Sequence, residues 1–419
     1  MHFDLLVKGG EVIDPGAGYN SRMDVAINRN RIVAVEPEIP AESAFRVVDA
    51  SGQYVIPGLI DMHAHLYRNS TYWGIAADAV GSQCGVTTWV DAGSTGAVTL
   101  PGFREYVIEK SRTRIYAFIN ISYIGLVAQD YELANPEYSN VEILERVANL
   151  NRDIIVGIKV RAGRSGAAKD LEPFQRARQA ADDLQLPIMV HLSTAPPDLA
   201  TVLGFLKPGD ILTHIYTGQS MGMLDVNGKI LDVAKKAFEE GLIMDLGHGA
   251  GSFSFPVAEA LFSQGYLPDS ISTDLHWLSI VGPNLLDPLK GSAFGTTSDA
   301  RSVVVQVKDE KPVFNLLTCM TKMLCVGMSF PEVVRRVTNR PAEILGVKGE
   351  IGTLKPGAFA DITGLVIDKG SFDLRDIHGN VRSGKENVRH TFTILGGQPF
   401  EPIEIPGPPA WVQRVDGLE

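Results

Sequence analysis

The chain has 419 residues, of which 45% are hydrophobic, 21% charged and 8% aromatic, a composition that excludes the disordered, collagenous and disulfide-rich classes. Its 38 Lys and Arg against 49 Asp and Glu give a formal net charge of -11, the wrong sign for a nucleic-acid or anionic-membrane partner, and a small-molecule partner is expected instead. The N-terminal residues show no basic stretch, long apolar run or small-residue cleavage site, and no apolar stretch of spanning length follows, so a cytoplasmic location is expected.

In chain order, the runs Phe3–Lys8, Met23–Asn28 and Arg31–Glu36 alternate apolar and polar residues between Gly9-Gly10, Pro15-Gly16 and Asn28-Arg-Asn, which predicts a small antiparallel β unit. Beyond Pro57 the texture changes to short apolar runs that end in polar residues and are separated by helix-compatible stretches. Eight such runs can be counted: Gly58–His65, Gly85–Asp91, Arg114–Asn120, Ile154–Arg161, Pro187–His191, Asp210–Tyr216, Leu242–His248 and Ser270–His276. Eight repeated βα units predict a (β/α)₈ barrel, with chemistry at the carboxyl ends of the strands. An open doubly wound sheet is the weaker alternative, since no G-x-G-x-x-G follows the first run. A Gly/Ser/Thr-rich loop spans Gly291–Ser298, helical patterns cover Val313–Val326 and Phe330–Leu345, and β texture returns from Gly349. Both termini are therefore expected to build one small β-sandwich beside the barrel, with boundaries 1–56, 57–346 and 347–419. The four prolines of Pro402–Pro409 predict an extended strap. Cys84, Cys319 and Cys325 are too few and too unevenly spaced for a disulfide framework or a thiolate site and read as buried apolar residues.

His63-Ala-His65 lies at the end of the first run, and strand alternation puts both imidazoles on one face, within reach of one metal ion. Alone, such a pair could equally be satisfied by backbone hydrogen bonds. His191, His214 and Asp274 end the fifth, sixth and eighth runs, however, and each is a good metal ligand at the face where a barrel carries its site. Lys159 near the end of the fourth run is either a salt-bridged barrel lysine or an amine whose pKa burial depresses, so that it adds carbon dioxide and bridges two ions as a carbamate.

The ordered set His63-x-His65, Lys159, His191, His214 and Asp274, preceded by Pro57-Gly-Leu-Ile-Asp61 and followed by the β signature Gly349–Asp361, resembles the binuclear amidohydrolase superfamily over essentially the whole chain. Gly157-Ile-Lys-Val-Arg161 and His214-Ile-Tyr-Thr-Gly218 look like the dihydroorotase-related deacetylases within it. The resemblance implies two divalent ions, zinc first among them. One would be held by His63, His65 and Asp274, the other by His191 and His214, with carboxylated Lys159 bridging both. It also implies a bridging hydroxide as nucleophile and Asp274 as the group that accepts its proton and passes it to the leaving group.

One position departs from the family pattern. Dihydroorotases continue as H-x-H-x-R, with the Arg on the substrate carboxylate, whereas Tyr67 stands two after His65 here, which argues against pyrimidine ring opening. By alternation, Arg161, Tyr216 and His276 lie on the faces of Lys159, His214 and Asp274 and are candidate substrate contacts together with Tyr67. Arg161 suits a carboxylate, or else a salt bridge to a neighbouring loop. His248, within Leu246-Gly-His-Gly-Ala-Gly, is a candidate supporting or substrate residue. His2, His378 and His390 read as structural or surface groups, and Gly163-Arg-Ser-Gly-Ala-Ala as a loop bordering the site. The expected activity is hydrolysis of an amide or ester, removing a small acyl group from an N-acyl amino acid or O-acyl hydroxy acid. Cyclic amide or lactone hydrolysis is the second reading and a non-catalytic scaffold the third. A homo-oligomer is compatible with the fold.

Overall fold

The computed structural model describes residues 2–163, 166, 168, 170–280 and 314–407. Seven of the eight anticipated barrel strands form one parallel sheet in sequential order: β6 (Leu59–Ala64), β7 (Val86–Gly96), β8 (Arg114–Asn120), β9 (Ile155–Arg161), β10 (Ile188–His191), β11 (Ile211–Thr213) and β12 (Ile243–Asp245). The eighth segment closes the ring by single parallel bridges on either side, Asp245 to Ser270 and Ala64 to Leu275. The backbone bonds Leu246 N to Ser270 O (2.9 Å), His248 N to Ser272 O (3.1 Å) and His65 N to Leu275 O (2.9 Å) hold it there.

Parallel strands are covered on both faces, and every residue of β7 is buried. The helices between strands are α1 (Ala77–Cys84), α2 (Leu100–Tyr106), α3 (Val141–Leu150), α4 (Glu172–Leu184), α5 (Leu199–Leu203), α6 (Asp232–Glu239) and α7 (Phe255–Ser263). In α4, Phe174, Ala177, Ala181 and Leu184 recur at helical spacing and are buried, whereas Arg176 is half-buried and Asp182 exposed, each in an ion pair. Phe174 and Leu184 each contribute roughly 1.5–3 kcal/mol of burial to holding α4 against the barrel.

Strands from both ends of the chain share one mixed sheet: β1 (Leu5–Asp14), β2 (Tyr19–Asn28), β3 (Arg31–Glu36), β4 (Val47–Asp49), β5 (Tyr54–Pro57), β13 (Ile362–Arg375), β14 (Val381–Leu395) and β15 (Gln398–Pro399). Its order is β15-β14-β13-β5-β1-β2-β3, with β4 beside β1, so the two ends meet where β5 pairs with β13 at Val55 and Gly364. The long β13–β14 hairpin is not evident from the sequence pattern; Val388 N donates to Thr321 Oγ1 (3.0 Å) on the helix Leu316–Val326, tying this sheet to the barrel. The second helical pattern divides into Phe330–Val337 and Asn339–Ile344.

Residues 402–407 form no helix or strand and lie along α1, where Ile403 N donates to Ser82 Oγ (2.9 Å) and Gln83 Nε2 to Ile403 O (2.7 Å). Positions 408 and 409 of the strap, 291–298 of the Gly/Ser/Thr loop, 313 of the first helical pattern and 164, 165 and 167 of the loop after β9 lie outside the described residues. Cys84 and Cys319 are buried and Cys325 is half-buried. Among the described residues no helix is long and apolar enough to cross a membrane.

Candidate metal centre

All six residues singled out as ligands converge at the carboxyl ends of the strands. Candidate donor atoms of His63, His65 and Asp274 lie within 4.8 Å of one another. The Asp274 Oδ1 atom is 3.2 Å from His63 Nε2 and 3.1 Å from His65 Nε2. Ligand bonds of about 2.0–2.1 Å in a tetrahedron would put donor atoms about 3.3 Å apart, so these spacings fit a shared ion. Beside them, His214 Nε2 lies 2.7 Å from His191 Nδ1 and 3.8 Å from Asp274 Oδ2. Lys159 Nζ is 3.2 Å from His63 Nε2. Lys159 can approach because Gly93, at φ 83°, lies against it; a Cβ on that residue would come within 2.6 Å of Lys159 Cβ.

Tautomers follow from donor accounting. Thr213 gives its single hydroxyl hydrogen to Asp245 Oδ2 (2.7 Å), so at 2.9 Å from His63 it can only accept from Nδ1–H, and the His63 Nε2 lone pair faces the cluster. His214 Nδ1–H donates to the Gly247 carbonyl (2.5 Å), leaving its Nε2 lone pair on the cluster side. His65 Nδ1 is held by Ser94 Oγ (2.9 Å). Behind these, Asp245 also accepts from Ser270 (2.6 Å) and Ser272 (2.7 Å). Asp61 accepts from His63 N (3.2 Å), Thr273 N (3.1 Å) and Thr273 Oγ1 (2.7 Å), fastening the first strand to the eighth. Partners of this kind orient metal-binding imidazoles. Asp91 plays a similar part for the β7 end, accepting from Leu66 N (2.8 Å) and Ser94 N (2.7 Å). Sequence reasoning missed Thr213, Asp245, Ser94 and Asp91; the signal was their place at or beside strand ends.

The charge states of Lys159, His191, His214 and Asp274 suit metal binding. Burial pushes Lys159 down to about 8, against the pull of Asp274 and Asp245. Burial also takes His214 down to about 4 and His191 well below the usual imidazole range. Burial alone would raise Asp274, but His63, His65 and His214 around it hold its carboxyl well below the usual range. The centre therefore joins a firmly anionic carboxylate, the neutral His191 and His214, a His63 whose pKa burial and Lys159 lower but Asp274 and Asp245 raise overall, and a buried amine that, among the described residues, has no carboxylate within hydrogen-bond distance.

The amidohydrolase family profile matches residues 54–398. The chain belongs to the amidohydrolase family. A deacetylase of Enterococcus faecalis is 32% identical over 404 residues, covering 96% of this chain and 100% of the relative. A deacetylase of Agrobacterium fabrum is 34% identical over 383 residues, covering 90% and 86% of the two. Among solved structures, an adenine deaminase is 33% identical with a TM-score of 0.81 over 95% of this chain and 100% of its own. A dihydroorotase is 32% identical with a TM-score of 0.79 over 94% and 98%. The protein is a hydrolase of the amidohydrolase barrel type.

In this amidohydrolase the outlying candidates take other positions than alternation implies. The sixth strand ends at Thr213, and His214 (φ 70°) and Asp274 (φ 51°) adopt left-handed backbone, which breaks the two-residue repeat. Tyr216 is fully buried and gives its hydroxyl to Tyr266 O (3.1 Å), so that hydrogen is already committed. His276 is buried with its ring 4.7 Å from that of Trp73. Tyr67 follows the end of β6 and packs on Phe103 of α2 (5.2 Å between rings). His248 is fully buried between Phe253 and Phe314, its Nε2 accepting from Lys322 Nζ (2.8 Å). Arg161 does lie beside the cluster, opposite His191 across the sheet, and it is paired with Glu132. His378 and His390 make local hydrogen bonds, to Ser252 O (3.2 Å) and Thr393 Oγ1 (2.7 Å), and His2 is exposed.

Proposed function

We propose that this amidohydrolase removes a small acyl group, acetyl first, from an N-acyl amino acid or O-acyl hydroxy acid, using two divalent ions, zinc in the first instance. The observation that supports the reading is the convergence of His63, His65, Asp274, His191, His214 and buried Lys159 in a chain that is 32–34% identical to two proteins named deacetylases over nine-tenths or more of its length. His63, His65 and Asp274 would hold one ion and His191 and His214 the other. Neutral Lys159 would add carbon dioxide, forming an N–C bond and losing one proton to solvent, and lie between them as its carbamate. Bound there, the ions would make a nucleophile of water at neutral pH and polarise the scissile carbonyl.

The chain's own part is proton handling and orientation. Asp274 is anionic at neutral pH and sits among the lone pairs, so its carboxylate takes the proton of the attacking water. It returns that proton to the departing nitrogen or oxygen as the C–N or C–O bond breaks. The Thr213–Asp245 and Ser94 contacts keep the imidazoles aimed while this occurs. Arg161, beside His191, is the group for the substrate carboxylate.

Ring opening of a cyclic amide is the second reading, favoured by the dihydroorotase at 32% identity. Tyr67 stands where ring-opening relatives place a carboxylate-gripping Arg, and its ring lies on Phe103, which favours the acyclic substrate. Hydrolysis assays on metal-loaded protein, with N-acetyl amino acids, O-acetyl hydroxy acids and dihydroorotate, decide between them. Acetate release supports the first reading, and turnover of dihydroorotate alone replaces it with the second.

A further inference from the structure

Resting on that substrate reading, we propose that Glu132 is a positioning residue that fixes Arg161 so that its Nη1 edge alone meets the substrate carboxylate. Arg161 is 7% exposed and lies at the mouth side of the cluster, two residues past Lys159 and in register with His191. Its guanidinium is not available as an open fork. The carboxylate of Glu132, itself 3% exposed, accepts from Nε at 2.7 Å and from Nη2 at 2.6 Å. Nη2 also donates to Gln129 O at 3.1 Å, and Asp130 stands 3.7 Å away. Among the described residues no hydrogen bond engages Nη1, whereas Nε and Nη2 are both committed.

The loop that carries Glu132 is fastened on both sides of it. It lies between β8 and α3 and is pinned by Leu126 N to Ser94 O (2.9 Å) and Leu133 N to Gly166 O (2.9 Å). Tyr131, immediately before Glu132, takes left-handed backbone at φ 75° while its side chain stays 60% exposed. A bulky residue in that conformation persists only when its surroundings over-determine it; here the turn directs the next side chain inward onto Arg161. Arginine is long and rotamer-rich, so a partner that orders it beforehand lowers what binding must supply. The same partner keeps a buried cation paired when no substrate is present.

The test compares an N-acetyl amino acid with its uncharged primary amide on metal-loaded wild type, Glu132→Gln and Arg161→Lys, alongside a crystal structure of Glu132→Gln. The KM of the acid is expected to rise about tenfold in both variants, the worth of one charge-assisted contact, a larger change than in kcat and larger than any change in the KM of the amide. The guanidinium is expected to leave its wild-type position in Glu132→Gln. A fall in the KM of the acid would mean that Glu132 competes with substrate for the fork, and parallel shifts for acid and amide would mean a general structural role; either overturns the proposal. Turnover of neither compound by wild type would sink the acyl-acid reading and the substrate half of the proposal. The crystal structure judges positioning separately, since an unmoved Arg161 refutes it whatever the assays show.

Discussion

Replacing Lys159 with Met separates what the site costs from what it does. Lys159 is 1% exposed, and burial lowers its pKa from 10.5 to about 8. At about 1.4 kcal/mol per pKa unit, keeping the ammonium charged in the metal-free fold costs on the order of 3 kcal/mol at pH 7. Met has similar length and no charge, so metal-free Lys159→Met should be more stable than metal-free wild type by about that amount. The sign follows from linkage. The folded pKa lies below the unfolded one, so between pH 8 and 10.5 the unfolded chain binds more protons and wild type gains stability as pH rises. The advantage of the variant should accordingly shrink toward pH 10. Urea denaturation of chelator-treated proteins at pH 7 and 9.5 measures both points. In the presence of zinc and bicarbonate the order reverses, because Met cannot form a carbamate: metal content by plasma mass spectrometry and hydrolytic rate should both fall. A metal-free variant no more stable than wild type at pH 7, or one that keeps two ions and full activity, would refute the reasoning.

Three further outcomes are expected. Asp274→Asn removes the proposed proton carrier and should lower kcat by about 10²–10⁴-fold with an unchanged far-UV circular dichroism spectrum; a rate near wild type assigns proton transfer elsewhere. Asp245→Asn disturbs three hydroxyl contacts behind His63 and should weaken zinc affinity about 10–100-fold in competition with a chromogenic chelator. Stripping the metal with dipicolinate should abolish hydrolysis and lower the melting temperature, since a ligand at a thousandfold its Kd stabilises by about 4 kcal/mol. Calorimetry that finds no such shift would leave the cluster without an ion.

What was legible in the sequence was what strand periodicity and strand ends express. Apolar runs ending in His63, Lys159, His191, His214 and Asp274 led to residues that meet at one end of the barrel, because a parallel barrel collects the ends of its strands on one face. Reasoning two residues further failed at Tyr216, whose hydroxyl is taken by Tyr266, because alternation needs continuous extended backbone and His214 and Asp274 leave it at φ 70° and 51°. The partner of Arg161 was equally hidden. Glu132 lies 29 residues earlier in a loop of no regular period, and its placement depends on one left-handed residue that periodicity does not register. Asp245 was obscured differently: it ends a strand as the ligands do, yet three hydroxyls engage it, and residue type alone does not tell a ligand from the support behind one.

Ring closure by the eighth segment also sets an order of events during synthesis. His65 and Asp274 are separated by 209 positions, and the segment carrying Asp274 joins its neighbours by single bridges, one to the first strand and one to the seventh. At about 5–20 residues per second, ribosomal elongation leaves the paired imidazoles without their carboxylate for roughly 10–40 s. During that interval the nascent chain carries two of the three clustered candidate ligands without the third. The proposed ion site would therefore be complete only once the last segment docks between the first and the seventh strands.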